Sequence, residues 1–544
     1  MKRRHFLHHS LLGSSALFFP LLSACQSDPK GTAPDAETPT GAAAFPLEEA
    51  TIQDLQAAME SGERTAEAIT QMYLDRIKAI DQEGPALRSV IEVNPEALQI
   101  AQQLDEERQQ GKVRGPLHGI PVMLKDNIDT DDQMQTTAGS LALVGSQVPQ
   151  DAWVTKQLRD AGAVIIGKTN LSEWANFRSE RSSSGWSGRG GQTRNPYVLD
   201  RTPCGSSAGS GVAVSANLCA FAIGTETNGS IVCPSTTNGI VGIKPTVGLV
   251  GRSGIVPISH SKDTAGPMAR TVADATLALG VLTGTDPRDA ATQKSAGKAQ
   301  ADYTASLQAD GLKGARIGLS RQHMGFHEGV DALIAAAVES MKQQGATVVD
   351  IDELIADRSV GEAGYEVLLY EFKHDLNQYL AALGPDAPAK TLSDLIAFNE
   401  KNADREMPYF QQEIMLKAEA KSDLDSPEYQ EALAKIQRLS REEGIDKALK
   451  EQQLDAIIAP TGGPAWTVDL VNGDHFGGGS SSPAAMAGYP NVTVPMGFIH
   501  GLPVGISFFA SAYSEPTLIK LAYAYEQATQ HRQPPKFIAT IEAD

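Results

Sequence analysis

The chain has 544 residues, 41% of them apolar and 21% charged, with a formal net charge of -20. That length allows one to three packed domains around a substantial core. So acidic a composition argues against a nucleic-acid binder, because phosphate recognition needs a cationic face.

The N-terminus predicts export. Arg3 and Arg4 precede an apolar stretch over 11–22, which is short for a bilayer span and suits a signal core. A twin arginine in that position marks export in the folded state. Leu22-Ser23-Ala24-Cys25 is similar to a bacterial lipobox, so residues 1–25 read as a lipoprotein signal with Cys25 lipidated. The expected location is periplasmic or cell-surface, held to the membrane through that lipid. Residues 26–45 are rich in Pro, Thr, Ala and Gly and lack apolar periodicity. They read as a disordered tether with a reach of roughly 25 Å.

The body, 46–544, reads as one domain. Thr51 and Thr65 precede helical patterns over 52–60 and 66–80, as N-caps do. A strand is expected over 89–93, and Pro95 is expected at the first position of a helix reaching about residue 110. Buried strands follow at 120–124, ending on Lys125, and at 164–166. Residues 207–216 read as a small-residue helix and 219–224 as an apolar strand. Further on come a strand at 315–319, a helix at 331–344, and strands at 347–351, 454–459 and 491–495. Between about 360 and 449 the text turns charged and helical, a helical insertion with scattered aromatics. Helices alternating with short, continuously apolar strands predict an α/β fold: a large mixed, mostly buried β-sheet sandwiched by α-helices.

Chemistry concentrates in two serine turns. Cys204-Gly205-Ser206-Ser207-Ala208-Gly209 is followed by Thr227-Asn228-Gly229-Ser230, which sets Ser206 and Ser230 24 residues apart. The intervening helix and strand span about 15 Å and about 20 Å. An antiparallel return therefore brings the two serines into one pocket, with Lys125 as a possible base.

Two decoys compete. Gly162 to Thr169 matches a P-loop pattern, but its Ala-Val-Ile-Ile interior favours a strand over a phosphate-cradling loop. Gly205-Ser206-Ser207-Ala208-Gly209 matches a nucleophile elbow on Ser207. Its approach is polar and bracketed by Pro196 and Pro203 where an elbow needs a buried strand, and its triad would need His260 or His475. With Cys25 set aside, Cys204, Cys219 and Cys233 are odd in number, which argues against a disulfide framework. All three are expected as structural residues. No His, Cys, Asp or Glu cluster has metal-ligand spacing, so neither metal nor cofactor is expected.

The two turns and Lys125 together resemble the amidase signature family of serine hydrolases. The resemblance implies a Ser-Ser-Lys triad: Ser230 as nucleophile, Ser206 as the bridge on a cis peptide bond, and Lys125 as base. It implies an oxyanion hole of backbone N–H groups at Thr227, Asn228, Gly229 and Ser230. Asn228 and Val232 stand where the family usually has glycine and arginine. The stretches around Asn170 to Phe177 and Gly191 to Tyr197 look like the family's bacterial peptide amidase branch. That implies C-terminal peptide carboxamides as substrates and makes Asn176 a candidate for binding substrate backbone. A general aliphatic or aryl amidase and an esterase using Ser207 are the alternatives. The family's tRNA-dependent amidotransferase subunits share the fold, but the export signal points to another compartment.

If Cys25 carries the lipid, a tagged fatty acid is incorporated into the wild-type chain and not into Cys25→Ala. No incorporation into the wild type leaves a plain cleaved signal.

Overall fold

The computed structural model describes residues 45–300, 302–384 and 387–541. The signal 1–25, the tether 26–45 (save its last residue) and the lipidation site Cys25 lie outside these. Among the described residues, no helix is long and apolar enough to cross a membrane.

Leu47–Asp544 form one compact unit. The described residues form thirteen strands: β1 (Val90–Val93), β2 (Pro121–Lys125), β3 (Val164–Thr169), β4 (Trp186–Ser187), β5 (Gly191–Gln192), β6 (Phe221–Glu226), β7 (Val241–Lys244), β8 (Thr264–Ala269), β9 (Arg316–Ser320), β10 (Thr347–Ile351), β11 (Ala456–Pro460), β12 (Asn491–Ile499) and β13 (Leu502–Phe509). Eleven build one sheet in the order β1-β3-β2-β6-β8-β7-β12-β13-β11-β9-β10, and β4 pairs with β5 apart from it. The sheet is mixed. β3, β2 and β6 run parallel to one another, as do β11, β9 and β10. β8, β7, β12 and β13 join the two halves through antiparallel pairs. Strands β2, β3 and β6 are buried along their whole length, as continuous apolar runs covered on both faces require.

Most predicted elements fall where expected. Thr51 closes a capping box with Asp54, and the Thr65 side chain accepts from Ala68 N. The helix after β1 departs from expectation. It is Ala97–Gln109 with Glu96 as N-cap, which leaves Pro95 outside it. Residues 164–169 form strand β3, with Lys168 Nζ donating to Ile128 O and Thr136 Oγ1 at 2.7 and 3.0 Å. A lysine so engaged inside a buried strand offers nothing to a phosphate.

The segment 360–452 carries a 23-residue helix, Val360–Ala382, and shorter helices including Leu392–Lys401, Glu413–Glu419 and Pro427–Ser440. Phe372, Leu376 and Leu380 of the long helix bury against Trp174 and Phe177. The helical segment thus packs on the chain just before the serine turns.

Candidate active site

β2 carries Lys125 at its C-terminal end, and the side chain has no solvent exposure. Its Nζ lies 2.7 Å from Ser206 Oγ, 2.8 Å from Thr225 Oγ1 and 3.3 Å from Thr225 O. Thr225 is on β6, which pairs with β2, so sheet register sets the contact. Burial pulls the lysine from its ordinary value of 10.5 down to about 7, although Asp263 and Glu226 act in the opposite direction. The neutral amine matches its surroundings. In the neutral form two N–H groups serve the Thr225 oxygens, and the lone pair is left to accept the Ser206 hydroxyl proton.

Ser206 follows a cis peptide bond from Gly205, and its carbonyl accepts from Ser172 N at 3.0 Å. A Cβ on Gly205 would stand 2.2 Å from Ser172 Oγ and 3.1 Å from Asn176 Nδ2, so only glycine fits there. Ser207 begins the buried helix Ala208–Ser215, and its N–H donates to Ser230 O at 3.1 Å. That bond ties the two serine turns directly. The Ser207 hydroxyl donates to Thr225 O at 3.1 Å and accepts from Thr225 N at 3.2 Å. Committed to backbone and fully buried, it is not the free hydroxyl that an elbow nucleophile requires.

The second turn leaves β6 at Glu226 and reverses at Gly229, whose φ of 85° is open to glycine at no steric cost. Glu226 Oε2 accepts from Ile231 N and Val232 N at 2.8 and 3.0 Å. Among the described residues, the N–H groups of Thr227, Asn228, Gly229 and Ser230 donate to no protein acceptor. Consecutive free N–H groups in a glycine turn suit an anion. Asn228 faces away to Ser481 and Ser482, accepting from one at 2.7 Å and donating to the other at 3.1 Å. Thr227 Oγ1 donates to Asp263 at 2.6 Å.

The cysteines correct the sequence reading. Cys204 and Cys233 form a disulfide, and among the described residues Cys219 alone is free, and it is buried. The odd count hid a pair that clamps the residue before Gly205 to the residue three beyond Ser230.

Asn176 ends a run of three left-handed residues, with φ of 49°, 53° and 70° at Trp174, Ala175 and Asn176. Its Nδ2 donates to Ser184 Oγ at 3.3 Å, and its Oδ1 is buried without a protein partner. Ser183 and Ser184 are buried too, and Ser184 N donates to Asp474 at 3.0 Å. Beneath the run lies an ionic cluster that the sequence did not reveal. Arg178 donates to Glu173 at 2.7 Å, Glu406 accepts from Leu141 N at 2.7 Å, and all three side chains are fully buried. Burial pushes the Glu173 carboxyl well above its ordinary range, and the neighbouring Glu406 adds to this. Asp126, beside the lysine, ties loops together, accepting from Gly139 N at 3.1 Å and Arg189 at 3.3 Å. Thr225, by contrast, touches Lys125 directly.

A cavity of about 380 Å³ adjoins this constellation, lined by Asn127, Thr225, Thr227, Ile258, Asp375 and Tyr379 among others.

The amidase family model matches residues 68–519. A protein described as "Probable amidase" from Arabidopsis thaliana is 43% identical over 507 residues, which cover 91% of this chain and 93% of that protein. The solved structure of native peptide amidase from Stenotrophomonas maltophilia is similar with a TM-score of 0.87 at 53% identity, covering 91% of this chain and 99% of its own. The peptide amidase PAM in complex with its competitive inhibitor chymostatin gives 0.88 at 54%, covering 90% and 100%. The chain belongs to the amidase signature family. It is accordingly a hydrolase of amides, a class that acts on small-molecule or peptide amides.

Because the disulfide closes a loop of sequence separation 29, the Cys204→Ser/Cys233→Ser double variant loses about 3–4 kcal/mol of stability. Its kcat falls as the two turns slacken. Denaturant unfolding and steady-state kinetics measure both, and a non-reduced digest lacking the linked peptide contradicts the pairing.

Proposed function

We propose that the protein hydrolyses C-terminal carboxamides of peptides through a serine acyl-enzyme, with Ser230 as nucleophile, Ser206 as bridge and Lys125 as base. The observation that carries the reading is the fully buried Lys125 Nζ at 2.7 Å from Ser206 Oγ. Ser230 Oγ attacks the carboxamide carbon and gives its proton to Ser206 Oγ, whose own proton passes to neutral Lys125. The oxyanion forms against the N–H groups of residues 227–230. Collapse breaks the C–N bond, and the proton returns from Lys125 through Ser206 to the leaving nitrogen, releasing ammonia. Water then attacks the acyl ester by the same relay, which frees the carboxylate and restores Ser230.

Two features favour peptide amides over small ones. The solved structures with which the chain shares 53–54% identity are peptide amidases. Asn176 stands against the bridging turn, its Nδ2 on Ser184 Oγ, and a rotation of its amide brings it to a substrate backbone group. Each such bond adds roughly 0.5–1.5 kcal/mol, usable for orienting the scissile amide.

Ser230→Ala lowers amide hydrolysis by roughly four orders of magnitude or more and ends labelling by a serine-directed phosphonate, with circular dichroism unchanged. Labelling at Ser207 in that variant contradicts the assignment. Below pH 7 Lys125 keeps its proton and cannot accept another. The kcat/KM profile therefore rises with pH through about 7 and then levels; Lys125→Ala removes the rise together with the activity. A blocked dipeptide amide is hydrolysed with kcat/KM about 100-fold above propionamide, a difference of about 3 kcal/mol. Equal values favour a general aliphatic amidase with the same triad.

A further inference from the structure

A second cluster, unused by the proposed reaction, forms where the loop before β8 meets the helix Val360–Ala382. His260 Nδ1 lies 3.0 and 2.9 Å from the two carboxylate oxygens of Asp375, and His374 Nδ1 lies 3.0 Å from Asp375 Oδ1. The three donor groups offer ligand atoms that all fall within 4.8 Å of one another. Four-coordinate zinc with bonds of about 2.0–2.1 Å sets its ligand atoms about 3.3 Å apart, so small side-chain rotations suffice to accept a cation.

The outer ring nitrogens supply an independent observation. His260 Nε2 is 3.3 Å from the fully buried Glu371 carboxylate and 3.4 Å from Tyr429 OH. The side-chain amide of Gln378, one helical turn on, lies 2.9 Å from His374 Nε2 and 3.2 Å from its Nδ1. Ligating imidazoles hold their outer N–H on such acceptors. For Gln378, turning the amide by 180° presents its oxygen. A neutral imidazole has one proton. With His260 Nε2–H directed at Glu371, Nδ1 turns a lone pair on the Asp375 oxygens at 2.9 Å, and two facing sets of lone pairs need a cation between them. A second proton on His260 fills that need in the absence of metal. The nearby guanidinium of Arg252 is neutralised by Asp289, at 2.7 Å.

We propose that His260, His374 and Asp375 bind a late first-row divalent cation at the rim of the cavity that adjoins Thr225 and Thr227. Two imidazoles and one carboxylate suit Zn²⁺ and its neighbours better than Mg²⁺ or Ca²⁺. Both histidines are 44% exposed, so the cation enters from solvent and water completes its coordination. His260 and Asp375 themselves line the cavity. The same loop carries Asp263, which holds Thr227 Oγ1. An occupied site therefore fastens the cavity wall beside the second serine turn to the long helix.

The test is titration calorimetry of ZnCl2 into the untagged, chelator-treated full chain, with thermal unfolding alongside. Wild type binds one Zn²⁺ more than His374→Ala, and Asp375→Asn weakens that site by at least about tenfold. Zn²⁺ raises Tm in wild type but not in His374→Ala. Hydrolysis of a peptide amide in metal-free buffer is equal in wild type and His374→Ala, which shows that the variant is folded. Equal Zn²⁺ stoichiometry and equal Tm response in the two proteins would overturn the proposal, as would the absence of binding to wild type.

Discussion

The structure turns on the burial of one amine. A lysine sealed at the end of β2 gains nothing from solvent, and its neighbours are hydroxyl and carbonyl oxygens rather than a carboxylate. Desolvation therefore dominates and holds the group near neutrality at about 7. A salt bridge at this position would keep the proton on nitrogen and remove the base. Asp263 and Glu226 are the acids whose charge opposes the shift. Both are tied elsewhere, Asp263 to Thr227 Oγ1, Ile258 N and Ser259 N, and Glu226 to Ile231 N and Val232 N.

Everything around the amine serves to hold that environment closed. Parallel pairing of β2 with β6 presents Thr225 to it. The helix Ala208–Ser215, made of small residues and wholly buried, brings the first serine turn against the second. The Ser207–Ser230 backbone bond and the Cys204–Cys233 disulfide then fasten the turns from two sides. Farther out, the Glu173–Arg178–Glu406 cluster joins the left-handed Asn176 segment to the helical segment. Buried ion pairs add little net stability but penalise any misalignment strongly. That cluster therefore acts on the position of Asn176 more than on the fold.

What was legible in the sequence follows the range of the interactions. Continuous apolar runs announced β2, β3 and β6, and local capping announced the first two helices. The spacing of Ser206, Ser230 and Lys125 brought those residues together because only short, regular elements separate the two serines. Strand β8, Thr-Ala-Gly-Pro-Met-Ala, was missed because Pro267 lacks the N–H that an interior strand normally supplies, yet it pairs with Ile223 at the centre of the sheet. Arg178 and Glu406 are 228 residues apart, and His260 and Asp375 are 115 apart. No periodicity links such pairs, so their meeting appears only in three dimensions. The cysteine count misled because parity says nothing about which two thiols the fold brings within reach.

Burial keeps Lys125 neutral above about pH 7. Nuclear magnetic resonance of protein carrying ¹³Cε-lysine, with the Lys125 signal identified by its loss in Lys125→Ala, reads that protonation directly. The signal should titrate near pH 7 in the free enzyme, well below the other lysines that solvent reaches. A Lys125 signal that stays in its charged position above pH 9 would contradict the account.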